Sequence, residues 1–169
     1  MLTQKMQSEY NKQINAEFYS AYLYLSMSSY LSENNLNGFA NWMNIQYQEE
    51  MFHAMKFYQY VIERGGKVVL DAIEKPQAEW KDIIDVFEST FEHEKHVTSL
   101  VHNLMSVAHE EKDYASVSFL QWFVDEQVEE EANVDELLQQ LKLVEGKGSG
   151  LFMLDREAKA RVFTPPVAQ

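Results

Sequence analysis

Helix-breaking residues are confined to a few short places in this chain. All six glycines lie at Gly38, at Gly65-Gly66 and in the run Gly146, Gly148, Gly150, and the three prolines are Pro76, Pro165 and Pro166. The long stretches between them are rich in Glu, Gln, Lys, Leu and Met, residues that lose little freedom on becoming helical. The pattern predicts helices over about 4–33, 37–64, 77–109 and 114–144, and a short fifth over about 150–161. Asn37-Gly38 is the expected cap of the second helix and Gly65-Gly66 its stop. Residues 65–79 read as a connecting segment, Pro76 suits the start of the third helix, and Asp113 can cap the fourth. No stretch alternates as a strand would. The expected fold is all-α: a four-helix bundle made of two helical hairpins joined by a long crossover, with a short fifth C-terminal helix. Residues 1–145 would form the bundle. Residues 146–169 would add a glycine hinge, the fifth helix and a TPPVAQ tail to the same domain.

Each long helix carries an apolar stripe at alternating spacings of three and four, the buried seam of a bundle. The stripes run Tyr10, Ile14, Glu17, Ala21, Tyr24, Ser28, Leu31; then Phe39, Met43, Gln46, Glu50, His53, Phe57, Tyr60. The third is Trp80, Ile84, Phe87, Phe91, Glu94, Thr98, Val101, Met105, and the fourth Leu120, Phe123, Gln127, Glu130, Val134, Leu137, Leu141. Every stripe is interrupted near its middle by a carboxylate. Midpoints of helices of similar length meet at one level whichever way each helix runs, so Glu17, Glu50, Glu94 and Glu130 are expected to converge. The spacing also repeats: Glu17 to Glu50 and Glu94 to Gln127 are both 33 residues, and Glu17 to His53 and Glu94 to Glu130 are both 36.

A buried ionised carboxylate costs several kcal/mol unless compensated, and no Lys or Arg lies on any of the four stripes. A pair of metal ions would compensate directly. Four carboxylates and one imidazole form a hard-oxygen set that suits two Fe(II) or Mn(II) ions better than copper or a closed zinc site. Glu50-x-x-His53 puts both side chains on one helix face, as chelation requires. A single carboxylate on a stripe is more often a boundary residue than a ligand, and a lone E-x-x-H arises readily by chance. Four central carboxylates with a matching repeat do not.

Composition narrows the partners. The 169 residues carry 27 Asp and Glu against 14 Lys and Arg, a net charge of −13. Such a field repels nucleic acid and draws cations, although acidity also serves solubility alone. The absence of cysteine excludes thiolate metal sites and cysteine nucleophiles and fits a reducing compartment. No apolar run is long enough to span a membrane, and MLTQKMQSEY lacks the pattern of a secretory signal. A cytoplasmic location is expected.

In these residues the chain resembles the prokaryotic non-haem ferritins, within the carboxylate-bridged di-iron proteins. The resemblance runs over nearly the whole chain, fifth helix included. It implies iron storage and detoxification: oxidation of Fe(II) to Fe(III) by oxygen or hydrogen peroxide at a ferroxidase centre, with mineral deposited inside a hollow 24-subunit shell. Glu17, Glu50 and His53 would hold a first iron. Glu50, Glu94 and Glu130 would hold a second, with Gln127 alongside. A third iron site would be built from Glu49, Glu126, Glu129 and Glu130, although QEE and DEQVEEE also read as a solvated acidic face. Bacterioferritins carry E-x-x-H on the second and fourth helices; Gln127-x-x-Glu130 departs from that, so no haem is expected. Met51, where a bacterioferritin would place its haem ligand, is assigned to packing.

Other candidates are weaker. Tyr24 is within plausible reach of the metals, where it could donate an electron or a hydrogen bond, or simply pack as a core aromatic. Trp122 is read as packing, and His93, His96, His102 and His109 as surface imidazoles. A rubrerythrin-type oxidase would bring a cysteine-rich iron module, a DNA-protecting mini-ferritin a basic tail. A metal-free structural bundle is the rival of another class, distinguishable by Fe(II) titration.

Overall fold

The computed structural model describes residues 1–165. Among them are five helices and no strand: α1 (Gln4–Glu33), α2 (Asn37–Glu63), α3 (Ile83–Glu110), α4 (Tyr114–Leu143) and α5 (Gly148–Ala158). The expected tail reaches residues 166–169, which lie outside the described residues. α1 packs along α2, α3 along α4, α1 across to α3, and α5 on α2.

Each long helix ends the same way. The chain turns into the left-handed region at Asn35, Gly65, Lys112 and Glu145. The following amide then reaches back to the last turn: Leu36 N to Leu31 O, Gly66 N to Val61 O, Asp113 N to Ala108 O and Gly146 N to Leu141 O, all at 2.8–2.9 Å. These are Schellman ends, which satisfy the carbonyls that a helix C-terminus orphans. Thr3, Asp82 and Asp113 cap α1, α3 and α4 by accepting from Met6 N, Asp85 N and Ser116 N.

Three expectations need correction. α3 begins at Ile83, not near residue 77, and Pro76 has no part in its start. Residues 77–82 are held extended along α1, where Ser26 Oγ donates to Gln77 O at 2.7 Å and the Tyr30 hydroxyl to Trp80 O at 2.8 Å. The Asp82 cap then fixes where helix can start. α2 is not capped by Asn37: its N-cap is Leu36, which offers no side-chain bond. Asp155 of α5 does that work instead, accepting from Gly38 N at 2.8 Å and Phe39 N at 3.0 Å. Gly38 permits this close approach, because a Cβ there would meet Asp155 O at 1.6 Å. α5 itself spans Gly148–Ala158 and is not helical beyond it.

The crossover follows α1 from start to finish. Asn11 holds Lys67 O and Val69 N, Asn15 holds Ala72 O, and Tyr30 holds Trp80 O. α3 therefore starts at the end of the bundle where α1 stops, and runs antiparallel to it. The buried face of α3 is Ile83, Val86, Phe87, Thr90, Glu94, Val97, Val101 and Leu104. The expected stripe members Ile84, Phe91, Thr98 and Met105 are only half-buried, as are Ser28, Tyr60 and Leu137. In each case the buried position is the adjacent one: Ile83, Thr90, Val97 and Leu104 on α3, and Met27, Val61 and Leu138 on the other helices, because the three-and-four alternation enters the seam there on the wrong side.

The core is divided. One apolar cluster gathers Tyr24, Met27, Leu31, Phe39, Met43, Phe87, Val134 and Leu141 with their neighbours. A second, toward the other end, gathers Met6, Tyr10, Ile14, Phe57, Val101, Leu104, Leu120 and Phe123. Between the two clusters, each of the four helices contributes buried polar side chains: Glu17 and Ser20, Gln46, Glu50 and His53, Glu94, and Gln127 and Glu130.

Candidate metal centre

The dividing layer contains Glu17, Gln46, Glu50, His53, Glu94, Gln127 and Glu130, every one buried. Donor atoms of Glu17, Glu50 and His53 lie within 4.8 Å of one another. His53 Nδ1 is 3.3 Å from Glu50 Oε2, the pairing that i, i+3 spacing allows. Glu17 Oε1 accepts from Gln13 Nε2 at 2.7 Å, whereas its buried Oε2 has no partner. A buried carboxylate oxygen left without a donor costs about 1–3 kcal/mol, and it is the feature that a cation would relieve.

The second half of the layer is more fully bonded. The Tyr24 hydroxyl donates to Glu94 Oε1, and Gln127 Nε2 donates to Glu94 Oε2 at 3.2 Å. Gln46 Nε2 donates to Glu130 Oε2 at 2.9 Å, leaving Gln46 Oε1 buried and unpartnered. Gln127 also reaches Thr98 Oγ1 at 3.3 Å.

Burial disfavours charge throughout this layer. It pushes the Glu17 carboxyl well above its ordinary value, with Glu50 adding repulsion. Glu50 is raised strongly by burial and then by Glu94. Glu94 is pushed up to about 8 by burial and by Glu130, against the bonds from Tyr24 and Gln127. Burial, and then Glu94, likewise raise the Tyr24 phenol. A cation entering this layer would compete with protons for the same carboxylates.

The more peripheral acids sit beside the layer. Glu49 and Glu126 are half-buried and Glu129 is exposed. Glu49 is pushed up to about 7 by burial, with Arg161 opposing and Glu130 and Glu126 reinforcing the rise. Glu126 is raised by burial, and feels His53, Glu130 and Glu129. Among the described residues, these acids do not close into a group as tight as Glu17, Glu50 and His53.

Several neighbours lie off the expected stripes. Gln13 and Ser20 are fully buried; Gln13 is legible afterwards as the i−4 partner of Glu17. His93 is not a surface imidazole. Its Nε2 is 2.8 Å from Ser20 Oγ, and its ring lies edge-on to Tyr24 at 5.8 Å. Burial lowers it to about 4, so the ring is neutral. His96, His102 and His109 are exposed. Trp122 packs edge-on to His53 at 5.5 Å, beneath the Lys56 ammonium at 3.4 Å from its ring centre. Met51 is half-buried. No helix among the described residues is long and apolar enough to cross a membrane.

The chain is similar to known proteins along nearly its whole length. A family model described as a ferritin-like domain matches residues 8–144. A bacterial non-haem ferritin of Bacteroides fragilis is 43% identical over 161 residues, covering 95% of this chain and 100% of the relative. A probable bacterial non-haem ferritin-like protein of Haemophilus influenzae is 40% identical over 157 residues, 93% of this chain and 95% of its own length. An open-pore ferritin from the archaeon Archaeoglobus fulgidus superposes with a TM-score of 0.95 at 48% identity, covering 96% of this chain and 100% of that one. A form of that ferritin engineered to be closed gives 0.95 at 49% identity over 97% of this chain and 100% of that one. With a buried carboxylate on each of four helices and these relatives along its length, the chain belongs to the ferritin family, among its non-haem members.

Proposed function

We propose that this protein stores iron by oxidising Fe(II) at the polar layer and depositing Fe(III) mineral inside a shell of its own copies. The observation that carries the reading is the convergence of Glu17, Glu50 and His53 in a core whose stripes offer no cationic side chain. Glu17, Glu50 and His53 would take one Fe(II). Glu50, Glu94 and Glu130 would take the other, with Gln127 beside them. Two Fe(II) give up two electrons, enough to reduce oxygen to hydrogen peroxide or hydrogen peroxide to water.

The chain's own part is positioning and proton handling. Burial favours the protonated forms of Glu17, Glu50 and Glu94, so Fe(II) would bind them in exchange for protons, which the reduced oxidant would take up. Tyr24 and Gln127 hold Glu94 from two sides, leaving that carboxylate little freedom to swing away. Glu49, Glu126, Glu129 and Glu130 would form the third, weaker site.

Exposed apolar side chains support assembly. Leu151 and Leu154 rest on the bundle's own core, whereas Phe152 and Met153 on the same helix are 64% and 60% exposed. Val69, Leu70 and Ile73 on the crossover are exposed as well. Contacts between copies would cover both patches.

The test is anaerobic Fe(II) titration of apo-protein, with particle size by light scattering on the same sample. Two tightly bound irons per subunit and a large uniform particle are expected. Near-zero stoichiometry would leave a structural bundle.

A further inference from the structure

We propose that Arg161 is a built-in counter-ion for Glu49, which iron must displace to occupy the third site. The proposal rests on the third-site reading given above and adds what regulates that site.

The stripes themselves supply no cation, yet one is delivered to the edge of the acidic layer from the far end of the sequence. Past Ala158 the chain turns back over α2. Asn41 Nδ2 donates to Lys159 O at 3.3 Å and to Arg161 O at 3.0 Å, which lays the segment down. The Arg161 guanidinium is then fixed three ways. Nη2 donates to Glu49 Oε2 at 2.6 Å, Nη1 donates to Trp42 O at 3.4 Å, and the group lies over the Trp42 ring at 4.3 Å. The two side chains are only 22% and 23% exposed, so bulk water screens the pair incompletely.

The position matters chemically. Glu49 precedes Glu50 and feels Glu130, His53 and Glu126. A guanidinium keeps its charge at any working pH and cannot step aside by losing a proton. A divalent cation at Glu49 therefore competes with Arg161 for the same carboxylate. The competition weakens the third site relative to the buried pair, which favours passage of iron over retention. Coupling is reciprocal, so iron on Glu49 releases the segment that follows α5.

A residue that merely anchored the chain end would not move metal affinity. The test is anaerobic Fe(II) titration of the assembled apo-protein by calorimetry, for the parent, Arg161→Gln, Arg161→Lys and Glu129→Ala. Hydrogen exchange of residues 159–165 is followed with and without Fe(II). Arg161→Gln should tighten the weakest iron about three- to tenfold, the scale of a partly buried ion pair, and leave the two tighter ones unchanged. Arg161→Lys keeps the charge and should stay near the parent. Fe(II) should speed exchange of 159–165 in the parent but not in Glu129→Ala. If Arg161→Gln leaves the weakest iron unchanged while Glu129→Ala abolishes it, the third site stands and Arg161 only anchors the chain. If Glu129→Ala binds as much iron as the parent, the third site falls and this proposal with it.

Discussion

The unpartnered Oε2 of Glu17 gives the sharpest test of whether the polar layer is built for metal and not for stability. Replacing Glu17 by Gln keeps the side-chain volume and the acceptor for Gln13 Nε2. It puts an NH2 group where Oε2 now lies without a donor, toward Glu50. It also removes a group whose charged form burial disfavours. A buried acceptor left without a donor costs about 1–3 kcal/mol. Glu17→Gln should therefore stabilise the iron-free protein by about 1–3 kcal/mol at pH 7.

The sign of the pH dependence separates this from ordinary repacking. The folded-state value of Glu17 lies above the unfolded one, so the parent's stability is fully present below about pH 4.5 and is lost as pH rises. The gap between variant and parent should stay under about 1 kcal/mol at pH 5 and widen toward pH 7. Chemical unfolding of apo-protein at both pH values measures it. Initial Fe(III) formation, followed in parallel, should fall at least about tenfold, since an anionic ligand is gone. A variant less stable than the parent at pH 7, or a gap equal at both pH values, would refute the reasoning.

Three further outcomes are expected. Anaerobic Fe(II) added at pH 6.5 should release protons into a pH-stat, because burial raises Glu17 and Glu50 and pushes Glu94 up to about 8; the release should shrink toward pH 9. Gly38→Ala drives a Cβ into Asp155 O, so α5 must leave α2; light scattering should show smaller particles, and unfolding a loss of about 2–4 kcal/mol from the two charge-assisted caps. Lys112 is exposed and left-handed at the end of α3, so Lys112→Gly should raise the denaturation midpoint by an amount worth about 0.5–1 kcal/mol, with iron oxidation unchanged.

The centre of the bundle is the part that sequence reveals best. Glu17, Glu50, His53, Glu94, Gln127 and Glu130 all fall on stripes drawn by periodicity, and all are buried. Between those positions the same rule misses alternate members, Phe91 and Thr98 as much as Ile84 and Met105, because the seam runs through the adjacent residues Thr90, Val97, Ile83 and Leu104 and spacing alone does not choose between i+3 and i+4. His93 was hidden for a related reason. One position from Glu94 it points away from the seam, but α1 lies on that side as well, and Ser20 and Tyr24 enclose it.

The contacts that organise the rim could not be read from local pattern, because each joins residues more than a hundred positions apart. Asp155 caps a helix 116 and 117 residues upstream, and Arg161 meets Glu49 across 112. A Gly at position 38 and an Asp within an amphipathic stretch are each ordinary alone. Only docking of α5 gives them meaning. That docking then places a permanent cation beside an acid whose neighbours are proposed iron ligands. The consequence is a coupling between the two ends of the chain. α2 supplies both the ligand pair Glu50 and His53 and the bed on which α5 lies, so a change that loosens α5 reaches Glu49 before it reaches Glu17 or Glu94 on the other helices. Iron held at the rim and the packing of α5 should therefore rise and fall against each other, with the buried pair responding less.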